Sequence, residues 1–275
     1  MKLKPMPTVR LFAAVLALVT TLSARADTGG AAEAGNDSAA QGLAIAMEAD
    51  RRSDGFQDYS SRLTMTLRAK NGQQAVREMR FKTLEVPGDG DKGLTLFDEP
   101  KDVAGTTLLT FAHKTADDDI WLFLPALKRV KRIAGNNKSG PFMGSEFAFE
   151  DFGTQEVEKY RYRYLRDEML DGQDCHVIER IPVEKTSGYS RQEVWLDKAE
   201  YRLQQIHYYN KGGVHLKTLR IGAYRQYLDK FWYPHHYLMV NHDTGRSTVL
   251  EFKDYVLRNG YGARDFDQSA LAGAR

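Results

Sequence analysis

Tyr59-Ser60-Ser61-Arg62-Leu63-Thr64-Met65-Thr66-Leu67-Arg68-Ala69 sets the grammar of this chain. Tyr59, Ser61, Leu63, Met65, Leu67 and Ala69 fall on one face, and Arg62, Thr64, Thr66 and Arg68 on the other. That alternation has period two, the mark of a half-buried strand. Asn71-Gly72 follows, a pair suited to the positive φ angles of a type I′ turn, and a return strand is expected from about residue 74 to 86.

The same pattern extends to the C-terminus. Strands are expected at 93–98, 106–112, 119–124, 127–133, 160–170, 174–181, 190–197, 202–210, 214–225, 230–240 and 247–257. Asp171-Gly172, Lys211-Gly212-Gly213 and Thr244-Gly245 punctuate neighbouring runs as turns. Consecutive strands with short loops imply an antiparallel meander, since parallel pairing needs long crossovers. A sheet of about a dozen strands must curl. The expected fold is therefore mainly β, a single large curled antiparallel sheet, or half-open β-barrel. An N-terminal helix and a long loop are available to cover its concave face.

Upstream, Gln41 to Asp54 carries a helical pattern, with Leu43, Ala46 and Met47 on one side and Glu48, Arg51 and Arg52 on another. Residues 27–40 are Ala, Gly, Asn, Asp and Ser without period and are expected to form a flexible lead-in. Residues 1–26 have a charged start (Lys2, Lys4, Arg10), an apolar run from Leu11 to Leu22 and Ala24-Arg25-Ala26. These are the parts of a secretory signal, with a cut expected after Ala26 and a periplasmic destination. Residues 41–275 are then one β domain.

Composition narrows the function further. The chain holds 39 basic and 37 acidic residues. Four of the basic ones lie in the leader, so the remainder sits at about −2 and presents no global basic field for nucleic acid. The sole cysteine, Cys175, cannot form an internal disulfide and is expected to be buried packing.

The segment from Trp121 to Phe152 is the least ordinary. Trp121-Leu122-Phe123-Leu124-Pro125-Ala126-Leu127 leads into the basic run Lys128, Arg129, Lys131 and Arg132. After a Gly/Asn loop comes Pro141-Phe142-Met143-Gly144-Ser145-Glu146-Phe147-Ala148-Phe149-Glu150-Asp151-Phe152. Four phenylalanines and a methionine must fold back over apolar surface or form an aggregating patch. Two readings fit: a flap lining the mouth of a cavity, or a loop plugging the end of the curled sheet.

Enzyme signatures are weak. Glu146, Glu150 and Asp151 lie beside aromatics, as a glycosidase pair might, yet they are neighbours in one loop. Asp117-Asp118-Asp119 lacks the alternating ligands of a calcium loop. His235-His236, His242, His207 and His215 do not have zinc spacing, so no metal or other cofactor is expected. The alternation of Tyr160, Tyr162 and Tyr164 with Arg161, Arg163 and Arg166 reads as a strand with one aromatic face.

The run from Trp121 to Phe152 resembles the periplasmic outer-membrane lipoprotein-sorting proteins, the LolA-like group. So do Tyr189 to Trp195-Leu196-Asp197-Lys198, Tyr208-Tyr209-Asn210-Lys211-Gly212-Gly213, Lys217-Thr218-Leu219 and Asn241 to Thr248. The resemblance implies a half-closed barrel with a helical lid and a cavity for acyl chains. It also implies a non-enzymatic carrier moving a lipoprotein or lipid across the periplasm. Members of that branch often accompany RND-type exporters, and an outer-membrane acceptor is the natural destination. A sensor or accessory protein on the same scaffold is the alternative.

Such a carrier needs no catalytic group, because burial of each methylene contributes about 0.8 kcal/mol. The residues expected to line its cavity are Leu63, Met65, Leu67, Leu108, Leu122, Leu124, Phe142, Met143, Phe147 and Phe149. Lys128, Arg129, Lys131 and Arg132 read either as a docking patch for a partner or as an edge strand blunted by charge.

Overall fold

The computed structural model describes residues 29–153, 155–268 and 271. The expected signal segment, residues 1–26 with its cut after Ala26, lies outside them. Helix α1 (Gly29–Ser53) comes first. The segment 27–40, expected as a flexible lead-in, is thus helical from Gly29. Its alanines (Ala31, Ala32, Ala34, Ala39 and Ala40) carry the best intrinsic helix propensity, which an argument from apolar periodicity alone does not register.

Fifteen strands follow: β1 (Asp58–Arg68), β2 (Gln74–Leu84), β3 (Lys92–Glu99), β4 (Thr107–Phe111), β5 (Asp119–Leu124), β6 (Arg129–Ile133), β7 (Tyr160–Leu170) and β8 (Gln173–Pro182). Then come β9 (Tyr189–Asp197), β10 (Leu203–Asn210), β11 (His215–Gly222), β12 (Arg225–Tyr227), β13 (Phe231–Tyr233), β14 (His236–Asn241) and β15 (Ser247–Leu257). Two expected strands are broken. The 214–225 run stops at Ala223, whose φ is +54°. The 230–240 run is interrupted at Pro234, which cannot donate to a ladder, leaving β12 and β13 as a separate small hairpin.

Thirteen strands form one antiparallel sheet that is not closed into a barrel. Its order is β6-β5-β4-β3-β2-β1-β15-β14-β11-β10-β9-β8-β7. The first and last strands of the meander meet in the middle, where β1 pairs β15 from Tyr59↔Leu257 to Arg68↔Ser247. Consequently β6 and β7, consecutive in sequence, are opposite edges of the sheet. The connection 134–159 must cross the open side of the curl. Helix α1 packs along the β7 edge, which it covers, while β6 stays open.

The main core fills the concave face, with Leu63, Met65, Met79, Phe97, Leu108, Phe142 and Met239 almost wholly buried. A smaller cluster on the outer face joins Leu109 and Phe123 to Phe266 and Leu271 near the C-terminus. Another holds Cys175 with Val177 and Trp195. Burial pushes the Cys175 thiol up to about 11, so it is inert packing rather than a nucleophile. Among the described residues, no helix is long and apolar enough to cross a membrane.

Candidate functional site

The crossing segment decides how the concave space is divided. Phe142 stacks within 4.3 Å of Phe152, 5.4 Å of Phe149 and 5.8 Å of Phe97 on β3. Phe147 meets Phe152 at 5.7 Å. Polar bonds fix the same loop to the sheet. Lys217 Nζ donates to the Glu146 carbonyl at 2.9 Å and to Asp151 Oδ2 at 3.0 Å. Tyr189 Oη donates to Asp151 at 2.9 Å, and Asn241 Nδ2 to Glu146 Oε2 at 2.8 Å. Arg246 pairs with Glu146 at 3.0 Å and donates to the Gly144 carbonyl at 2.9 Å. Arg77 donates to the Met143 carbonyl. With apolar and polar anchors together, the segment is a fixed plug at one end of the half-barrel.

The other end is hollow. A cavity of about 1270 Å³ lies between the sheet, the C-terminal half of α1 and the β12–β13 hairpin. That exceeds the ~300–1,000 Å³ of ordinary small-molecule sites. One wall is aliphatic, with Ile178, Val194, Leu196, Leu219 and Ile221 from β8 to β11. The facing wall is aromatic. Tyr59 lies 4.9 Å from Tyr233 and 5.5 Å from Phe56, and Phe252 lies 5.3 Å from Tyr237 and 5.9 Å from Tyr255. Burial raises the Tyr59 phenol to about 12 and pushes Tyr162, Tyr233, Tyr237 and Tyr255 up as well. All therefore stay protonated near neutral pH. The wall is thus apolar with neutral hydroxyls.

The residues expected from the sequence to line a cavity sit mostly elsewhere. Leu63, Met65, Leu108, Leu122 and Phe142 are buried in the packed core beneath the plug, and Leu67, Leu124, Met143 and Phe149 pack against it. Only Phe147 among them also borders the cavity. The physical reason lies along β1. Tyr59 and Leu63 share a face, but Tyr59 is at the hollow end and Leu63 at the plugged end. Period two reveals the face of a strand and not which half of it a distant loop will cover. Tyr59 and Tyr237 were legible as inward positions of β1 and β14, whereas Tyr255 is out of phase with Leu250 and Phe252 on β15 and turns inward only through the irregularity at Asp254 (φ +55°).

Lys128 takes a left-handed turn conformation (φ +48°) ahead of β6, and Arg129, Lys131 and Arg132 lie exposed on that open edge, with Arg132 paired to Asp119. The carboxylates weighed as catalytic are occupied structurally. Glu146 and Asp151 make the contacts above, and Glu150 accepts from Gly188 N at 2.8 Å. His207, His215 and His242 form a stack at 4.3 and 4.6 Å. Among the described residues, no group of three His, Cys, Asp or Glu could hold a metal ion.

The cavity lining carries both signs, with Asp50, Asp54, Glu85, Asp89 and Asp91 beside Arg51, Arg52, Lys92, Lys114 and Lys230. Burial, reinforced by Glu156, Glu85 and Asp54, pushes the Asp91 carboxyl up to about 7. A raised folded value means the native state keeps a proton that the unfolded chain releases. Stability is then highest below about pH 4 for this group and falls as pH rises toward 7. Asp91→Asn should remove that slope and stabilise the protein by about 2 kcal/mol above pH 7, discounting for partial exposure. Urea titrations at pH 5 and 8 check it; an unchanged difference between them would show Asp91 ionising normally.

Comparison with known proteins agrees with this architecture. A family model described as an uncharacterized protein matches residues 89–273. None of the curated proteins matches. A solved domain assigned to outer-membrane lipoprotein sorting, from Vibrio parahaemolyticus, is 50% identical with a TM-score of 0.84. The match covers 85% of this chain and 99% of that one. A DUF1329 family protein from Desulfovibrio piger is 28% identical with a TM-score of 0.81, over 85% and 99%. A LolA superfamily protein from Nitrosomonas europaea shares the fold at 19% identity and a TM-score of 0.67, over 83% and 98%. With half of the residues identical over nearly the whole of a sorting domain, the chain belongs to the family of outer-membrane lipoprotein-sorting proteins.

Proposed function

We propose that this protein is a non-enzymatic periplasmic carrier that shelters the hydrocarbon of a lipoprotein or lipid and moves it toward the outer membrane. The cavity carries the reading. A void of about 1270 Å³ walled by aliphatic and aromatic groups is stable only when apolar cargo fills it or a cover keeps it small. Burial of a long acyl chain at about 0.8 kcal/mol per methylene supplies ample affinity. Release then depends on opening the cover, α1, while the plug stays seated. An inner-membrane RND-type exporter as donor and an outer-membrane acceptor complete the proposed route. No catalytic step is needed, since Glu146, Glu150 and Asp151 hold the plug.

Two measurements test this together. Organic extraction of the purified protein followed by mass spectrometry should recover a lipid with at least one acyl or polycyclic chain. The delipidated protein should bind cis-parinaric acid with micromolar affinity or better. Neither co-purified lipid nor uptake of the probe would refute a carrier.

A further inference from the structure

One concave row of the sheet is polar from edge to middle. Cross-strand pairing places Tyr162 beside Arg180, Arg180 beside Gln192, Gln192 beside Tyr208, Tyr208 beside Lys217, and Lys217 beside Asn241. The plug satisfies the far half of this row. Lys217 reaches Asp151 and a carbonyl of the plug, and Asn241 reaches Glu146. The near half, with Tyr162, Arg180 and Tyr208, runs under the cavity.

Arg180 is the charged member of that near half. Its side chain lines the cavity, yet the residue is only 8% accessible. Nε donates to Gln192 Oε1 at 2.6 Å, and the guanidinium lies 4.7 Å from the centre of the Tyr160 ring. Its Nη groups have no hydrogen-bond or ion-pair partner among the described residues. Three neighbouring carboxylates are directed elsewhere. Glu179 is on the outer face with Arg163 at 3.1 Å, Asp151 is held by Lys217 and Tyr189, and Glu150 is bound to Gly188. With its Nη groups free of these three carboxylates, the guanidinium fork can bind a carboxylate or phosphate through two parallel bonds.

We infer that Arg180 is an anion anchor, and that the cavity takes an amphiphile whose acidic group, carboxylate or phosphate, docks on its free Nη groups while the hydrocarbon lies along the aliphatic wall. This rests on the carrier reading and narrows it to acidic lipids. Gln192 and the Tyr160 ring hold the guanidinium in place, so the anchor is organised before cargo arrives.

The test compares cis-parinaric acid with its methyl ester on the delipidated full-length mature protein. The acid should bind at least tenfold more tightly. Arg180→Met should erase that preference while leaving ester affinity within a factor of three, and Arg180→Lys should keep part of it; circular dichroism monitors folding of both. Displacement of the probe by oleate or by oleoyl lysophosphatidic acid supports the anchor, and the stronger competitor tells carboxylate from phosphate. Equal binding of acid and ester by the unsubstituted protein, or an acid preference that survives in Arg180→Met, overturns it while the carrier stands. Binding of neither probe overturns the carrier reading and this inference with it.

Discussion

Lys217→Met is expected to lower stability by about 3–5 kcal/mol, the cost of removing one member of a buried ion pair. Lys217 and Asp151 side chains are each 5% exposed and 3.0 Å apart. The ammonium also bonds the Glu146 carbonyl and lies 5.0 and 5.2 Å from the rings of Tyr189 and Tyr208. Without it, Asp151 keeps bonds from Tyr189 and from Ala148 N but remains a buried charge with no cation. The loss falls on the loop that seals one end of the half-barrel, so the phenylalanine cluster should loosen first. Urea unfolding followed by tryptophan fluorescence measures the loss. The double variant Lys217→Met/Asp151→Leu should recover more than half of it, because two apolar groups of similar size carry no stranded charge. A loss below 1 kcal/mol would place the pair with ordinary surface bridges and the plug's anchorage elsewhere.

That pair also marks where the sequence stops being readable. Local signals gave the strands: the alternation in β1, Asn71-Gly72 after it and Asp171-Gly172 between β7 and β8 need only neighbouring residues. Pairing of consecutive strands followed from short loops. The closure of the meander, with β1 against β15, did not. It joins residues almost 200 positions apart, and it makes β6 and β7 opposite edges. Only with that fact does 134–159 become a strap across the open side of the curl instead of a surface loop. The unusual run of phenylalanines was visible, and so was the need to bury it. Whether it hinged or plugged depended on Lys217, Tyr189, Asn241 and Arg246, which come from β11, β9, β14 and the turn before β15 and are each unremarkable alone. The cavity was displaced from its expected place for the same reason: the plug consumed the leucines and methionines, leaving Tyr59, Tyr237 and Tyr255 as wall.

On the carrier reading α1 is the cover that must move, and Gly42 is where it touches the frame. A Cβ built on Gly42 would lie 2.6 Å from the backbone carbon of Arg163 and the nitrogen of Tyr164 on β7. Neither can yield, because both belong to the edge-strand backbone. The helix can lie this close only because residue 42 has no side chain, and the close approach is what buries Ile45 and Ala46 one turn later. Gly42→Val should therefore lift α1 off β7, at a cost of up to about 3 kcal/mol from overpacking. The larger effect is on cargo. Ala46, Ala49 and Asp50 on the same helix line the cavity, so displacing it opens that wall to water. Affinity for cis-parinaric acid should fall at least 100-fold, or about 2.7 kcal/mol, with a faster off-rate carrying most of the change. Cooperative urea unfolding of the sheet should persist, since the bonds that hold the plug are made to the sheet. Gly42→Ala, with only one added carbon at the same contact, should fall between the two. If Gly42→Val binds the probe as the unsubstituted protein does, the helix is not the cover, and the gate must be sought in the β12–β13 hairpin, whose Phe231 and Tyr233 form the remaining lip of the cavity.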